Sequence, residues 1–224
     1  MSRFLAIAAG AAAAARPCYT LIDSVRYIET PCFTTVIDYH ESDKRVVLRA
    51  YPNAAAHVVE AAVLIDPGFP FDENVQATAD YIFAYFTGIN ANSANLSSSL
   101  TAPFTVRPPV VGREIWVGSM ALAPSKWPPA SAPPAPKADG VSISNLGGLV
   151  VASVPVTLLT APVEADFRAA YAVLAELLAS LPVPGHWHIN ASSPLSPSFS
   201  YYFTQRYDGS AFDIEASAEV YHTN

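Results

Sequence analysis

The sequence predicts an α+β fold made of two similar halves that share a sheet, and three observations predict it. Two runs of helical period stand out, one over Glu73–Thr87 and one from near Thr160 to Pro182. Each is preceded and followed by short runs of strand character, so the order strands, helix, strands occurs twice. The 224 residues are 51% hydrophobic and only 14% charged, enough apolar material for one domain with a sizeable core.

Cys18–Val25 and Thr34–Tyr39 read as short strands. Arg45–Tyr51 and Ala54–Ala62 read as a hairpin broken at Pro52-Asn53, and Asp66-Pro67-Gly68-Phe69-Pro70 fits neither period and is expected to be a loop. Asp72 is placed to cap the helix Glu73–Thr87, whose first turn is acidic and whose end is marked by Gly88. Val75, Ala79, Ile82 and Phe86 share a stripe that faces the core. Tyr81, Phe83 and Tyr85 lie off that stripe and need a second cover, from protein, ligand or partner.

Strands near Leu100–Val106 and Glu114–Ala121 follow. Pro124–Pro136, which includes Trp127, is too rich in proline to join a central strand. Val141–Asn145 and Leu149–Val156 read as a hairpin about Gly147-Gly148. The second helix has Pro162 in its first turn and Glu164 near the positive end of its dipole. Phe167, Tyr171, Leu174, Leu178 and Leu181 recur at helical spacing until Pro182 ends the run. Tyr201–Arg206 and Glu215–His222 supply the last strands.

A net charge of -7 with only 12 Lys and Arg disfavours nucleic acid as a partner, and no Lys or Arg occurs between Arg49 and Arg107. Residues 1–15 pair one positive charge with an alanine-rich apolar stretch too short to span a membrane, the pattern of a signal or targeting segment. That leaves 16–224 as a single domain, secreted or sent to an organelle, or cytoplasmic if the segment is not a signal. The only cysteines, Cys18 and Cys32, either close a small loop or remain two buried thiols. Asn95-Leu96-Ser97 and Asn190-Ala191-Ser192 are glycosylation tripeptides, used or silent.

Four segments in order resemble the SOUL/haem-binding-protein family. Val46-Val47-Leu48-Arg49-Ala50-Tyr51-Pro52 is similar to its first signature strand. Tyr85-Phe86-Thr87-Gly88-Ile89-Asn90 with Leu100-Thr101-Ala102-Pro103 resembles its helix end and Met-Thr-Ala-Pro segment, with Leu100 in place of Met. Pro133-Pro134-Ala135-Pro136 with Val141-Ser142-Ile143, and Ala218-Glu219-Val220-Tyr221, fill the remaining two places, so the resemblance runs from about Arg45 to Tyr221. It implies a distorted antiparallel β-barrel of two similar halves with two helices packed outside. It also implies non-enzymatic binding of haem or another tetrapyrrole, for storage, transport or buffering, in an apolar cleft beside the first helix.

On that reading Tyr81, Phe83 and Tyr85 form a wall for a flat ligand. Packing against the proline-rich stretch explains the same residues equally well. Some family members carry a His where this chain has Ala50, so axial ligation is absent there. His57 lies nearby and has ring nitrogens able to reach a metal, although a lone strand His is more often a hydrogen-bonded structural residue. His186 and His188 share one side of an extended segment but lack further ligands at metal spacing.

No nucleophile elbow, phosphate loop, zinc-hydrolase helix or Cys-x-x-Cys pair is present, which disfavours an enzyme. Asp213 and Glu215 are expected on a solvated strand face, and the resemblance implies that Glu219 is a buried acid that ties strand ends together. The alternative function is a protein-interaction or structural module that kept the fold, lost the ligand, and uses the first-helix aromatic face for a partner.

Overall fold

The structure is a computed structural model that describes residues 18–23, 26–64, 71–108, 115–193, 195–205 and 211–223. The expected targeting segment 1–15 and the loop 66–70 lie outside the described residues. The chain begins with a hairpin, β1 (Cys18–Asp23) and β2 (Arg26–Thr30), and continues through β3 (Thr34–Glu41), β4 (Lys44–Tyr51), β5 (Ala56–Leu64), α1 (Phe71–Thr87), β6 (Phe104–Arg107) and β7 (Ile115–Ala121). After the proline-rich excursion come β8 (Val141–Leu146), β9 (Leu149–Leu158), α2 (Glu164–Ser180), β10 (His186–Ile189), β11 (Ser198–Gln205) and β12 (Phe212–Thr223).

Among the described residues ten strands form one antiparallel sheet in the order β3-β4-β9-β12-β11-β6-β7-β5-β8, with β10 on the end of β12. β6 and β11 pair at the centre, and reversing the strand order from β4 to β8 exchanges β4-β5-α1-β6-β7 with β8-β9-α2-β11-β12 strand for strand, β4 and β8 each lying beyond the other unit's strands. The two halves expected from the element order are therefore present.

The closed barrel is not. β3 occupies the outer edge of β4 and β8 pairs only with β5, so the sheet ends at β3 and β8, which do not pair with each other. The two expected hairpins are likewise replaced by something longer. β4 and β5 do not pair together, nor do β8 and β9. Instead β4 runs against β9 (Tyr51↔Leu149) and β5 against β8 (Ala56↔Leu146), giving one two-stranded ribbon bent at a shared corner. The corner is held by Gly148 N donating to Pro52 O at 3.0 Å and Ala55 N donating to Leu146 O at 2.8 Å. Gly147 is needed there because a Cβ would lie 2.3 Å from Pro52 O. Two neighbouring breaks that read as two turns are one bend in paired chains.

Both helices lie on one face of the sheet, α1 against β5, β6 and β7, and α2 against β4, β9, β10 and β12. Alternation sends Val46 and Leu48, Val59 and Ala61, Phe104 and Val106, and Ala216 and Ala218 into the core beneath them. α1 starts at Phe71 rather than after an Asp72 cap. The Phe71 ring docks between Trp116 and Phe167, with centroids 5.5 and 5.7 Å away, and draws the first turn onto the core. Asp72 and Glu73 then sit at the positive end of the helix dipole. Gly88 ends the helix at φ 124°, where a side chain is strongly disfavoured.

The family-like motifs have structural work to do. Asn90 is fully buried, and its Nδ2 donates to Tyr85 O at 3.1 Å and Ala94 O at 2.8 Å while its Oδ1 accepts from Ala94 N at 3.0 Å. Thr101 Oγ1 donates to Ala121 O at 2.7 Å. Glu219 accepts from Ser193 Oγ at 2.6 Å and Asn190 Nδ2 at 3.2 Å, tying the turn after β10 to β12 as expected. Cys18 and Cys32 are joined as a disulfide.

Candidate functional site

The residues that alternate away from the helices line a concave trough of about 1220 Å³ on the other face of the sheet. On β4 these are Arg49 and Tyr51, on β5 Glu60, on β6 Thr105 and Arg107, on β7 Ser119, on β11 Ser200 and Tyr202, and on β12 Glu215 and Ser217. Thr30, Pro31 and Phe33 form part of one wall, held near the disulfide through Cys32.

Cross-strand register makes the floor a continuous polar stripe. Glu60 stands opposite Ser119, Ser119 opposite Thr105, Thr105 opposite Ser200, and Ser200 opposite Glu215. Thr105 Oγ1 and Ser200 Oγ are 2.9 Å apart, and Ser119 Oγ donates to Thr105 O at 3.4 Å. At the ~4.8 Å spacing of neighbouring strands the stripe is roughly 19 Å long. A salt-bridged carboxylate stands at each end.

Arg49 donates from both terminal nitrogens to Glu215, at 2.7 and 2.6 Å, in a bidentate pair whose side chains are 17% and 7% exposed. Its guanidinium also lies 5.0 Å from the centroid of Phe33, which meets Tyr51 edge-on. Burial by itself lowers the pKa of Arg49, but the Glu215 carboxylate more than reverses this, so Arg49 stays charged. Arg107 pairs with Glu60 at the other end. Burial pushes Tyr51 up to about 12 and Tyr202 well above its ordinary value, with Glu215 adding to the effect on Tyr202. Arg49 Nε is buried with no hydrogen-bond partner among the described residues.

The expected site residues lie elsewhere, and none of the four lines the trough. Tyr81 is 44% exposed, and Phe83 is half-buried against the core. Tyr85 is buried, and its hydroxyl donates to Pro134 O at 2.8 Å; burial pushes it up to about 12. His57 is buried on the helix side of β5, with Nε2 3.2 Å from Pro128 O. The proline-rich stretch thus meets both Tyr85 and His57, while Tyr81 stands apart from them.

Ala50 offers no axial ligand, His57 Nε2 is engaged on a carbonyl, and no group of three or more His, Cys, Asp or Glu side chains placed to hold a metal ion occurs among the described residues. His186 and His188 do share a side of β10, with ring centroids 6.2 Å apart, but His188 Nε2 is engaged with Thr223 Oγ1 at 3.0 Å.

Asp213 and Glu215 share a side of β12, as alternation requires, but that side is the trough and not open solvent. Glu215 is only 5% exposed. The sequence signal that marks the trough is a lone charge inside an apolar strand, as in Val46-Val47-Leu48-Arg49 and Val58-Val59-Glu60-Ala61. A buried ion pair satisfies such charges. No helix among the described residues is long and apolar enough to cross a membrane. No family model matches the chain, and no curated protein is significantly similar to it. The likeness to the SOUL family rests on the four quoted motifs.

Proposed function

We propose that this chain is a non-enzymatic binding protein that stores, carries or buffers a flat organic molecule of tetrapyrrole size in the trough, without a bond to a metal. The observation that carries the reading is the trough, whose volume of about 1220 Å³ exceeds the roughly 300–1,000 Å³ typical of small-molecule sites. Its walls combine aromatic rings with a floor of hydroxyls, so they suit a guest with an apolar face and hydrogen-bonding edges. The charges on its floor are engaged with one another, in Arg49–Glu215 and Arg107–Glu60, which favours holding a guest there over transforming it.

Charge narrows the guest. The lining guanidiniums Arg45, Arg49 and Arg107 are each on a carboxylate, and Asp43, Asp213 and Glu219 add further acid. An anionic guest must disrupt an ion pair or approach unpaired acids, whereas an uncharged one need not. The reading therefore favours an uncharged porphyrin-like molecule over haem with two ionised propionates.

The test is an absorbance titration of the full chain with protoporphyrin dimethyl ester, free protoporphyrin and ferric haem. Saturable one-to-one binding of the ester, weaker binding of the two acids, loss in Ser200→Phe and retention in Tyr81→Ala/Phe83→Ala are expected. Circular dichroism checks that the variants fold. Loss only in the Tyr81/Phe83 variant would move the site to α1, and a flat titration with all three pigments would sink the ligand reading. The exposed Tyr81 and Ile89, at 44% and 50%, favour a second reading in which this end of α1 meets a protein partner.

A further inference from the structure

We propose that Asn95 is an N-glycosylation site of this protein, and that Asn190, in an equally good tripeptide, is not used. Both Asn95-Leu96-Ser97 and Asn190-Ala191-Ser192 satisfy the acceptor pattern, so the sequence does not separate them. Their surroundings do.

Asn95 is exposed in the connection between α1 and β6, and Ser97 is exposed too. The Asn95 Oδ1 accepts from Ser97 N at 2.9 Å, folding the tripeptide into an Asx turn at the surface. Its Nδ2, the atom that would carry sugar, makes no protein hydrogen bond among the described residues. Asn95 does not line the trough, so a glycan there leaves the proposed binding site open.

Asn190 is tied in on every side. Its Nδ2 donates to Glu219 Oε1 at 3.2 Å, its Oδ1 accepts from Ser192 Oγ at 2.8 Å, and its backbone N donates to Glu219 O at 2.9 Å. A sugar on that Nδ2 replaces one of its two protons and puts bulk beside Glu219, which also holds Ser193 Oγ at 2.6 Å. Glycosylation acts on the chain before it has folded, so the native structure works as a filter. Chains modified at Asn190 crowd the tie between the β10 turn and β12, and chains modified at Asn95 disturb no hydrogen bond of its Nδ2.

The transfer forms a bond from Nδ2 to the anomeric carbon of a lipid-pyrophosphate-linked oligosaccharide. The anomeric carbon–oxygen bond to phosphate breaks, the lipid pyrophosphate leaves with its electron pair, and the amide proton passes to a base of the transferring enzyme. No redox change is involved. The compartment that does this is oxidising, in keeping with the joined Cys18 and Cys32.

The test is secretion of the full chain from eukaryotic cells, followed by intact mass and peptide mapping before and after peptide-N-glycosidase F. One glycan at Asn95, lost in Asn95→Gln and in Ser97→Ala and kept in Ser192→Ala, which removes the second tripeptide but leaves the Asn190–Glu219 bond, is expected. A secreted, disulfide-bonded chain without a glycan, a folded chain glycosylated at Asn190, or a chain kept in the cytosol with free thiols would each overturn the proposal.

Discussion

Replacing Glu215 by Gln keeps the size of the side chain and removes its charge, leaving the Arg49 guanidinium on the trough floor without its counter-ion. Arg49 is 17% exposed and Glu215 7%, so little solvent is at hand to take over. Breaking a buried pair from one side costs about 3–5 kcal/mol, and the Phe33 ring does not offset this because its contact with Arg49 exists with or without the carboxylate. A loss of ~3–5 kcal/mol corresponds to a melting point lower by roughly 6–20 °C in a domain of this size. Urea unfolding at constant slope is the assay.

Asp38→Asn provides the control, because the Arg45–Asp38 pair is 44% and 39% exposed and such surface pairs are worth about 0–1 kcal/mol. Removing both partners, as Arg49→Met/Glu215→Leu, leaves no orphaned charge and should come within about 1 kcal/mol of the native chain or exceed it. If Glu215→Gln costs no more than Asp38→Asn, or the double variant is as weak as the single, the description of a buried, mutually dependent pair fails.

Alkaline pH tests the buried phenols. Burial holds Tyr51 and Tyr85 at about 12 against an ordinary value of 10.0. Below pH ~10 both states keep the proton; above it the unfolded chain ionises first and binds fewer protons, so stability is lost as pH rises to ~12, at up to about 1.4 kcal/mol per pH unit for each tyrosine. Tyr85→Phe should flatten that slope and also lower neutral-pH stability by about 1–2 kcal/mol through the lost bond to Pro134 O, both read from urea midpoints. Gly147→Ala should cost about 2–3 kcal/mol, because the added Cβ meets backbone and not a movable side chain; an unchanged midpoint would contradict the bent-ribbon corner. Opening the Cys18–Cys32 loop, with its separation of 14 residues, should cost up to about 3 kcal/mol, and intact mass with and without reductant and alkylation establishes the bond itself.

The parts of the fold legible in the sequence are those set by local period and punctuation. The helix stripe Ala79, Ile82 and Phe86 is buried as the 3.6-residue period requires, and Phe167, Leu174 and Leu178 do the same on α2. The partners of the strands were not legible. Pro52-Asn53 and Gly147-Gly148 each look like a hairpin turn when read alone, and only pairing between distant segments makes them one corner. Tyr85 was legible as needing a cover, and the cover proves to be a carbonyl in the proline-rich stretch. For β12 the alternation was right and the environment wrong: nothing local tells Glu215 that its side of the strand faces a concavity and an arginine 166 residues away.

The quoted motifs and the trough carry different kinds of information. Asn90, Thr101 and Glu219 close the chain upon itself through buried hydrogen bonds, so their presence in a sequence favours an architecture without implying a ligand. The trough floor has the opposite character. Apolar residues of similar volume would often hold a sheet at least as well as Arg49–Glu215 and Arg107–Glu60, because desolvating two ion pairs offsets much of their attraction. A large face that keeps charge and hydroxyls where leucines would serve stability better is more readily explained by what it holds than by how it folds. The Arg49→Met/Glu215→Leu chain separates the two roles. If the floor is there for a guest, that variant stays as stable as the native protein and binds the porphyrin ester more weakly, because polar partners for the guest's edges are gone; if it binds as before, the ion pair belongs to the scaffold alone.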